Sequence, residues 1–269
     1  MTRAIFFALF SSVVLAIAFP LALLADKTEK EYKHARALLS QGDLQGARTE
    51  FEDILNKKPK DEAAKALLGV TLTKLSEQSE QKGDRTLAVA ELREALQLDP
   101  DEAYWHSALA KLLSSQGAAD EAREEWSRAA KLSPEDSFLA KVGGSGVSQE
   151  INKVSSANPK VSSANPKVSA PELGGGYPVG GDITAPVPIE RPAPPYTEKA
   201  RDALYSGRIL MEIVINAEGD VEQAWVLKPL GLGLDQNALH TVRTWKFKPA
   251  TRKGAPVPVH ILVEIGLLL

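Results

Sequence analysis

Apolar positions follow four different regimes along the chain, and each predicts a different structure. Residues 4–25 form an uncharged apolar run, preceded by Arg3 and followed by Asp26, Lys27, Glu29 and Lys30. Over residues 27–142 apolar residues recur every three or four positions, the period of amphipathic helices. Residues 143–189 lose the pattern to Ser, Pro and Gly. Beyond residue 190 it returns with a period of two: Ile209, Met211, Ile213 and Ile215 alternate with Arg208, Leu210, Glu212, Val214 and Asn216, which reads as a strand.

The rest of that last region continues in the same way. Ala217-Glu218-Gly219 reads as a hairpin turn into a second strand over residues 220–228, where Trp225 and Leu227 break the alternation and predict a bulge. Asp235 reads as the cap of a helix with Ala238, Leu239, Val242 and Trp245 on one side, ended by Phe247 and Pro249. A final strand over residues 256–267 places Val257, Val259, Ile261, Val263 and Ile265 on one face, and Pro258, which has no amide proton, assigns it to a sheet edge.

The helical region is repetitive. Pro100 and Pro134 are 34 residues apart and Pro59 and Pro100 are 41 apart, and each closes a similar block. The blocks read Ala35, Leu38, Gly42, Ala47, Phe51, Ile54; then Gly83, Ala88, Leu92, Ala95; then Leu109, Ala110, Leu113, Gly117, Ala122, Trp126, Ala129. In the second block Leu68, Gly69 and Leu72 stand seven residues early, so its first helix is expected to be nearly two turns longer. Residues 137–142 read as a short capping helix after the acidic pair Glu135 and Asp136. The pattern resembles the tetratricopeptide repeat (TPR). The resemblance implies three stacked helix pairs with a concave face that holds another, unidentified protein, toward which Tyr32, Arg36, Tyr104 and Lys111 are expected to point from first helices. Trp105 and Trp126 are expected in the core.

The spacer contains Val-Ser-Ser-Ala-Asn-Pro-Lys twice in tandem, at residues 154–160 and 161–167, and reads as disordered. Residues 1–25 fit both a cleaved signal peptide and a retained N-terminal anchor, and both readings export the remainder of the chain.

In the last module, Pro194-Pro195-Tyr196-Thr197-Glu198-Lys199-Ala200, Asn216-Ala217-Glu218-Gly219-Asp220-Val221, Leu234-Asp235 and Trp245-Lys246-Phe247-Lys248-Pro249-Ala250 resemble, in order and spacing, motifs of the TonB C-terminal domain. That resemblance implies an energy transducer of a Gram-negative envelope that grasps an outer-membrane TonB-dependent transporter by strand addition. Val257, Val259, His260, Ile261, Leu262 and Glu264 would form the docking edge. An open edge also invites pairing into a strand-exchanged homodimer. An ExbB/ExbD-type inner-membrane complex is the implied energy source, although residues 4–25 hold no ionisable group to titrate. The competing reading is an exported periplasmic TPR scaffold or adaptor without energy transduction. Either places the protein in the periplasm, anchored to the inner membrane or secreted.

The expected architecture is therefore multidomain: a signal or anchor (1–25), an all-α TPR array (27–142), a disordered linker (143–189) and a small α+β TonB-like domain of β-β-α-β order (190–269). Composition narrows the function. With 32 basic and 35 acidic residues the net charge is −3, which excludes a basic nucleic-acid binder. No Cys is present, so thiolate chemistry and Cys-ligated metals are excluded. His34, His106, His240 and His260 are isolated in sequence, so no metal site, cofactor or enzyme activity is expected. Arg243, Lys246, Lys248, Arg252 and Lys253 crowd the end of the last helix, as basic residues there favour the helix dipole or would attract acidic partners.

Overall fold

The computed structural model describes residues 29–144 and 176–268. Residues 1–25, read from the sequence as a signal or anchor, and most of the spacer lie outside the described residues. No helix among the described residues is long and apolar enough to cross a membrane.

The array consists of α1 (29–41), α2 (Leu44–Lys57), α3 (Glu62–Gln81), α4 (Arg85–Leu98), α5 (Ala103–Ser115), α6 (Ala119–Leu132) and α7 (Ser137–Gly144). α3 has 20 residues against 13 in α5, which is the seven-residue extension read from the repeat spacing. The first helix of each pair ends in the same turn. Gly42, Gly83 and Gly117 have φ of 82°, 87° and 82°, and the next residue's N–H returns to a carbonyl five positions back: Asp43 to Leu38, Asp84 to Ser79, Ala118 to Leu113. Only glycine takes this left-handed turn without penalty. Asp43, Asp61 and Asp84 then cap α2, α3 and α4 by accepting the N–H of Gly46, Ala64 and Leu87. Ala47, Phe51, Ala64, Leu67, Leu72, Leu92 and Ala129 fill the core between pairs, with Trp105 and Trp126 also buried, as expected. Gly69 admits the Trp105 ring: a Cβ there would lie 2.3 Å from Trp105 Cη2.

The C-terminal module comprises β1 (Tyr177–Pro178), β2 (Val187–Glu190), α8 (Glu198–Asp202), β3 (Gly207–Ile215), β4 (Val221–Lys228), α9 (Leu234–Val242), β5 (Lys246–Lys248), β6 (Thr251–Arg252), β7 (Ala255–Pro256) and β8 (Val259–Leu267). Its main sheet has the order β1-β8-β3-β4, with β3 antiparallel to both neighbours and β1 parallel to β8. Ile209, Met211, Ile213 and Ile215 stand opposite Ile265, Val263, Ile261 and Val259, so both strands send one apolar face into a core closed by Ala238, Leu239 and Val242 of α9.

The expected β-β-α-β order is present, with three differences of detail. The module starts earlier than residue 190, because β1 and β2 lie in what composition marked as spacer. β4 carries two bulges rather than one, since Glu222 and Leu227 have no opposite residue on β3. Asp235 does not cap its own helix: it is fully buried and accepts the N–H of Leu230 and Gly231, at 2.8 and 2.7 Å, which pins the loop ahead of α9. That loop runs left-handed through Gly231, Leu232 and Gly233, with φ of 91°, 58° and 73°.

Candidate partner-binding edge and repeat face

β8 is bordered on one side by β3 along its whole length, from Val259 opposite Ile215 to Leu267 opposite Gly207. On the other side β1 pairs only with its start, Tyr177 with Val259 and Pro178 with His260. Among the described residues, the border from Ile261 to Leu267 has no neighbouring strand. The Tyr177 N–H donates to Pro258 O at 2.9 Å, which makes residue 258 outward-facing. Strand backbone alternates with a period of two, so Leu262, Glu264 and Gly266 direct their N–H and C=O groups to the free border. Pro258 shares that parity, and its missing N–H is therefore lost on the outer side.

The predicted edge residues divide between two faces. Val259 is fully buried, Val263 further along the strand is buried and Ile261 between them is half-buried, all on the core face. His260, Leu262 and Glu264 lie on the opposite face. There Leu262 is 54% exposed, Glu264 accepts from Arg208 at 2.7 Å, and His260 Nδ1 lies 3.2 Å from Glu212 Oε1. Burial raises the Glu212 carboxyl above its usual range and His260 pulls it back. Val257 is not in the strand: its N–H donates to Ala250 O at 3.0 Å as the chain leaves the β6–β7 hairpin.

A short strap covers the start of β8. Gly176 packs so closely that a Cβ would lie 2.8 Å from the Val259 carbonyl carbon. The Arg252 guanidinium lies 5.6 Å from the Tyr177 ring centre and pairs with Asp182 at 2.8 Å. Of the basic residues gathered beyond α9, Arg252 is thus used within the module, as is Lys246, which holds Asp220 at 2.8 Å.

The predicted groove residues are placed on first helices. Tyr32 is buried and its hydroxyl donates to Asp61; burial, followed by the bond to that carboxylate, raises its pKa. Arg36 reaches Glu29 at 3.3 Å on its own helix and Lys111 is half-buried on α5. Tyr104 is buried and donates to Asp136 Oδ2 at 2.9 Å.

Asp136 connects Tyr104 to the other module, because the same Oδ2 accepts the Val226 N–H at 3.0 Å while Oδ1 accepts the N–H of Phe138 and Leu139. The outer border of β4 thus abuts the start of α7, where Ser137 Oγ also receives the Ala224 N–H. Arg243 donates to Glu135 O and Ser137 Oγ, His240 lies 3.3 Å from Glu135, and Lys199 pairs with Asp99. Glu102, at the start of α5, faces the Gly233 N–H, which favours its ionised form. Helices α3, α5 and α7 are the first helices of successive units, so the C-terminal module sits on the face that the repeat pattern assigns to a ligand. Sequence reasoning missed Glu102 and Asp136. The signal for Glu102 was a cap position holding Glu where Asp43, Asp61 and Asp84 hold the shorter Asp.

Residues 192–266 match the family profile described as Gram-negative bacterial TonB protein C-terminal, and residues 32–80 and 81–141 match tetratricopeptide-repeat profiles. The chain carries a TonB-type C-terminal domain behind tetratricopeptide repeats. A TonB protein of Vibrio cholerae serotype O1 is 31% identical over 97 residues, covering 33% of this chain and 40% of that protein. The chain thus spans well under half of that relative's length. Among solved structures, a fragment of MamA from Desulfovibrio magneticus RS-1 is 23% identical with a TM-score of 0.34, covering 47% of this chain and 68% of that one. PcrH in complex with the chaperone-binding region of PopD is 15% identical with a TM-score of 0.31, covering 48% and 89%.

Proposed function

We propose that this is a TonB-like protein of the Gram-negative envelope whose C-terminal domain grips an extended segment of an outer-membrane transporter, and whose repeats hold a protein partner, in support of energy-coupled transport. The observation that carries the reading is the free border of β8 from Ile261 to Leu267, with backbone donors and acceptors facing outward beside the exposed Leu262. An added strand satisfies those groups by backbone hydrogen bonds, and alternate side chains select its sequence. On this reading residues 4–25 anchor the chain in the inner membrane, next to an ExbB/ExbD-type complex, and the spacer gives reach toward the outer membrane.

Leu262→Pro tests the border directly. It removes one outward N–H and puts a ring where the added strand would lie, while the inward groups that bond β3 stay in place. Binding of a transporter's N-terminal peptide, measured by calorimetry, should weaken about tenfold, the loss of one hydrogen bond at ~1.4 kcal/mol. Unchanged affinity would remove the border from the mechanism.

A second reading, an exported scaffold that transduces no energy, is favoured by one observation: residues 4–25 contain no ionisable side chain through which a proton channel could act. Mass measurement of the mature protein separates the two. Retention of residues 1–25 supports force transmission, and a cleaved soluble product supports the scaffold.

A further inference from the structure

Three carboxylates meet where the C-terminal module seats on the first helices of its own array: Glu102, Asp136 and Asp235. Two of them are well supplied with donors. Asp136 accepts four hydrogen bonds, and Asp235 accepts two backbone N–H groups from within its own module. Glu102 is different. It is 2% exposed, caps no helix and faces the Gly233 N–H across the junction, while its Oε2 has no hydrogen-bond partner among the described residues. The nearest cation, Lys199 Nζ, is 4.0 Å from Oε1 and is already held by Asp99.

The other charges at the junction add no compensation. Asp235 on α9 and Asp99 after α4 both face Glu102 as further acids. Asp136 at the start of α7 faces Asp235, Tyr104 of α5 donates to Asp136, and Tyr205 feels the charges of Asp235 and of Glu77 on α3. Arg243 and His240 reach Glu135 instead. A carboxylate sealed from water with half its acceptors unused is costly to keep ionised, and a proton on Oε2 removes that cost.

We propose that Glu102 makes the seating of the C-terminal module on the repeat array proton-linked: the module closes over a neutral Glu102 and comes away as that carboxyl ionises. The electrostatics agree in sign. Burial, then the charges of Asp235 and Asp99, push the Glu102 carboxyl from the usual 4.5 up to about 8 when the module is seated. An acid raised in the closed state favours closure fully below its open-state value and loses that advantage as pH climbs to the closed-state value. Closure therefore weakens between pH 4.5 and about 8, by up to roughly tenfold per pH unit for a single proton. Asp235, pushed up to about 7 chiefly by burial, keeps its Leu230 and Gly231 donors in either state and contributes less.

The chain has no Cys, so Asp120→Cys with Glu218→Cys gives one exposed label in each module of the full-length protein. Energy transfer between the labels should be high at pH 5.5 and fall as the pH is taken to 8.5, with circular dichroism constant throughout. Adding Glu102→Gln, which keeps the size of the side chain and cannot ionise, should hold transfer high across the range. Hydrogen exchange gives a reading that does not depend on labels. Protection factors of the Val226 and Ala224 amides, whose acceptors are Asp136 and Ser137, should drop with rising pH while that of Ile213 in the core stays fixed. Energy transfer independent of pH in the parent, or the parent's pH profile persisting in Glu102→Gln, overturns the proposal.

Discussion

Asp136 ties α7, the last repeat and the C-terminal sheet together. In Asp136→Ala the cap on Phe138 and Leu139 disappears, which costs about 1 kcal/mol. The Tyr104 hydroxyl and the Val226 N–H are stranded in buried surroundings, at about 1–3 kcal/mol each. Burial raises the Asp136 carboxyl above its usual range, so removing it relieves part of the sum. A net loss of about 3 kcal/mol is expected, a large share of the 5–15 kcal/mol that holds a typical domain. Asp136→Asn discriminates the contributions: its Oδ1 keeps both cap bonds and the Tyr104 hydroxyl can turn to accept, but an amide NH2 then faces the Val226 N–H. It should lose only about 1–2 kcal/mol, nearly all of it at the junction. Urea unfolding followed by far-ultraviolet circular dichroism gives the total, and hydrogen exchange over residues 137–144 and 221–228 divides it between cap and junction. The reasoning fails if Asp136→Ala loses less than about 1 kcal/mol, or if Val226 keeps its protection while α7 frays.

Three further substitutions test other parts of the fold. Gly219→Ala combines a φ of 94° with a Cβ 1.9 Å from Phe247 O, a backbone atom fixed by β5, so the module should lose about 3 kcal/mol or more in urea unfolding. Gly69→Ala drives a methyl into the buried Trp105 ring and should lower array stability by about 1–3 kcal/mol with a change in Trp emission. His106 presents Nδ1 to Glu125 at 2.5 Å and Nε2 to Pro100 O at 2.8 Å, with Arg128 on the other Glu125 oxygen at 2.7 Å. His106→Leu leaves a buried carboxylate with one partner and should cost about 3 kcal/mol in urea unfolding, restored in large part by His106→Leu combined with Glu125→Leu.

The elements that sequence reading captured are those whose cause is local. A left-handed glycine followed by a capping Asp marks each repeat turn, and the early Leu68-Gly69-Leu72 string gives the length of α3 to the residue. Alternation over Ile209 to Ile215 likewise defines β3 and its buried face. What escaped is non-local. Nothing in Tyr177-Pro178 announces a parallel pairing with residues some eighty positions later, because two residues carry no period. Asp235 precedes a helical pattern and so reads as a cap, yet its oxygens turn back to Leu230 and Gly231, since the left-handed Gly-Leu-Gly loop brings those N–H groups within reach. The repeat register points Tyr104 toward a groove; its hydroxyl is spent on Asp136, at a junction that depends on how two separately encoded modules meet.

On the proposed function, that junction orders the two binding reactions. β4 and β8 flank β3, so the array abuts the β4 side of the sheet while the unpaired stretch of β8 lies on the other side. Capture of an extended segment at β8 therefore needs no separation of the modules, only room beyond the strap at Tyr177 and Pro178. A ligand for the repeat face meets the opposite situation, because it must take the surface of α3, α5 and α7 that the C-terminal module occupies. If the closed form is 99% populated, such a ligand binds about 100-fold more weakly than to a separated array, whereas the β8 segment is unaffected. Binding titrations of each ligand on Glu102→Gln and on the parent at pH 8.5 separate these cases. Locking the junction should weaken the array ligand alone, and equal weakening of both would mean that the module's position on the array also governs access to β8.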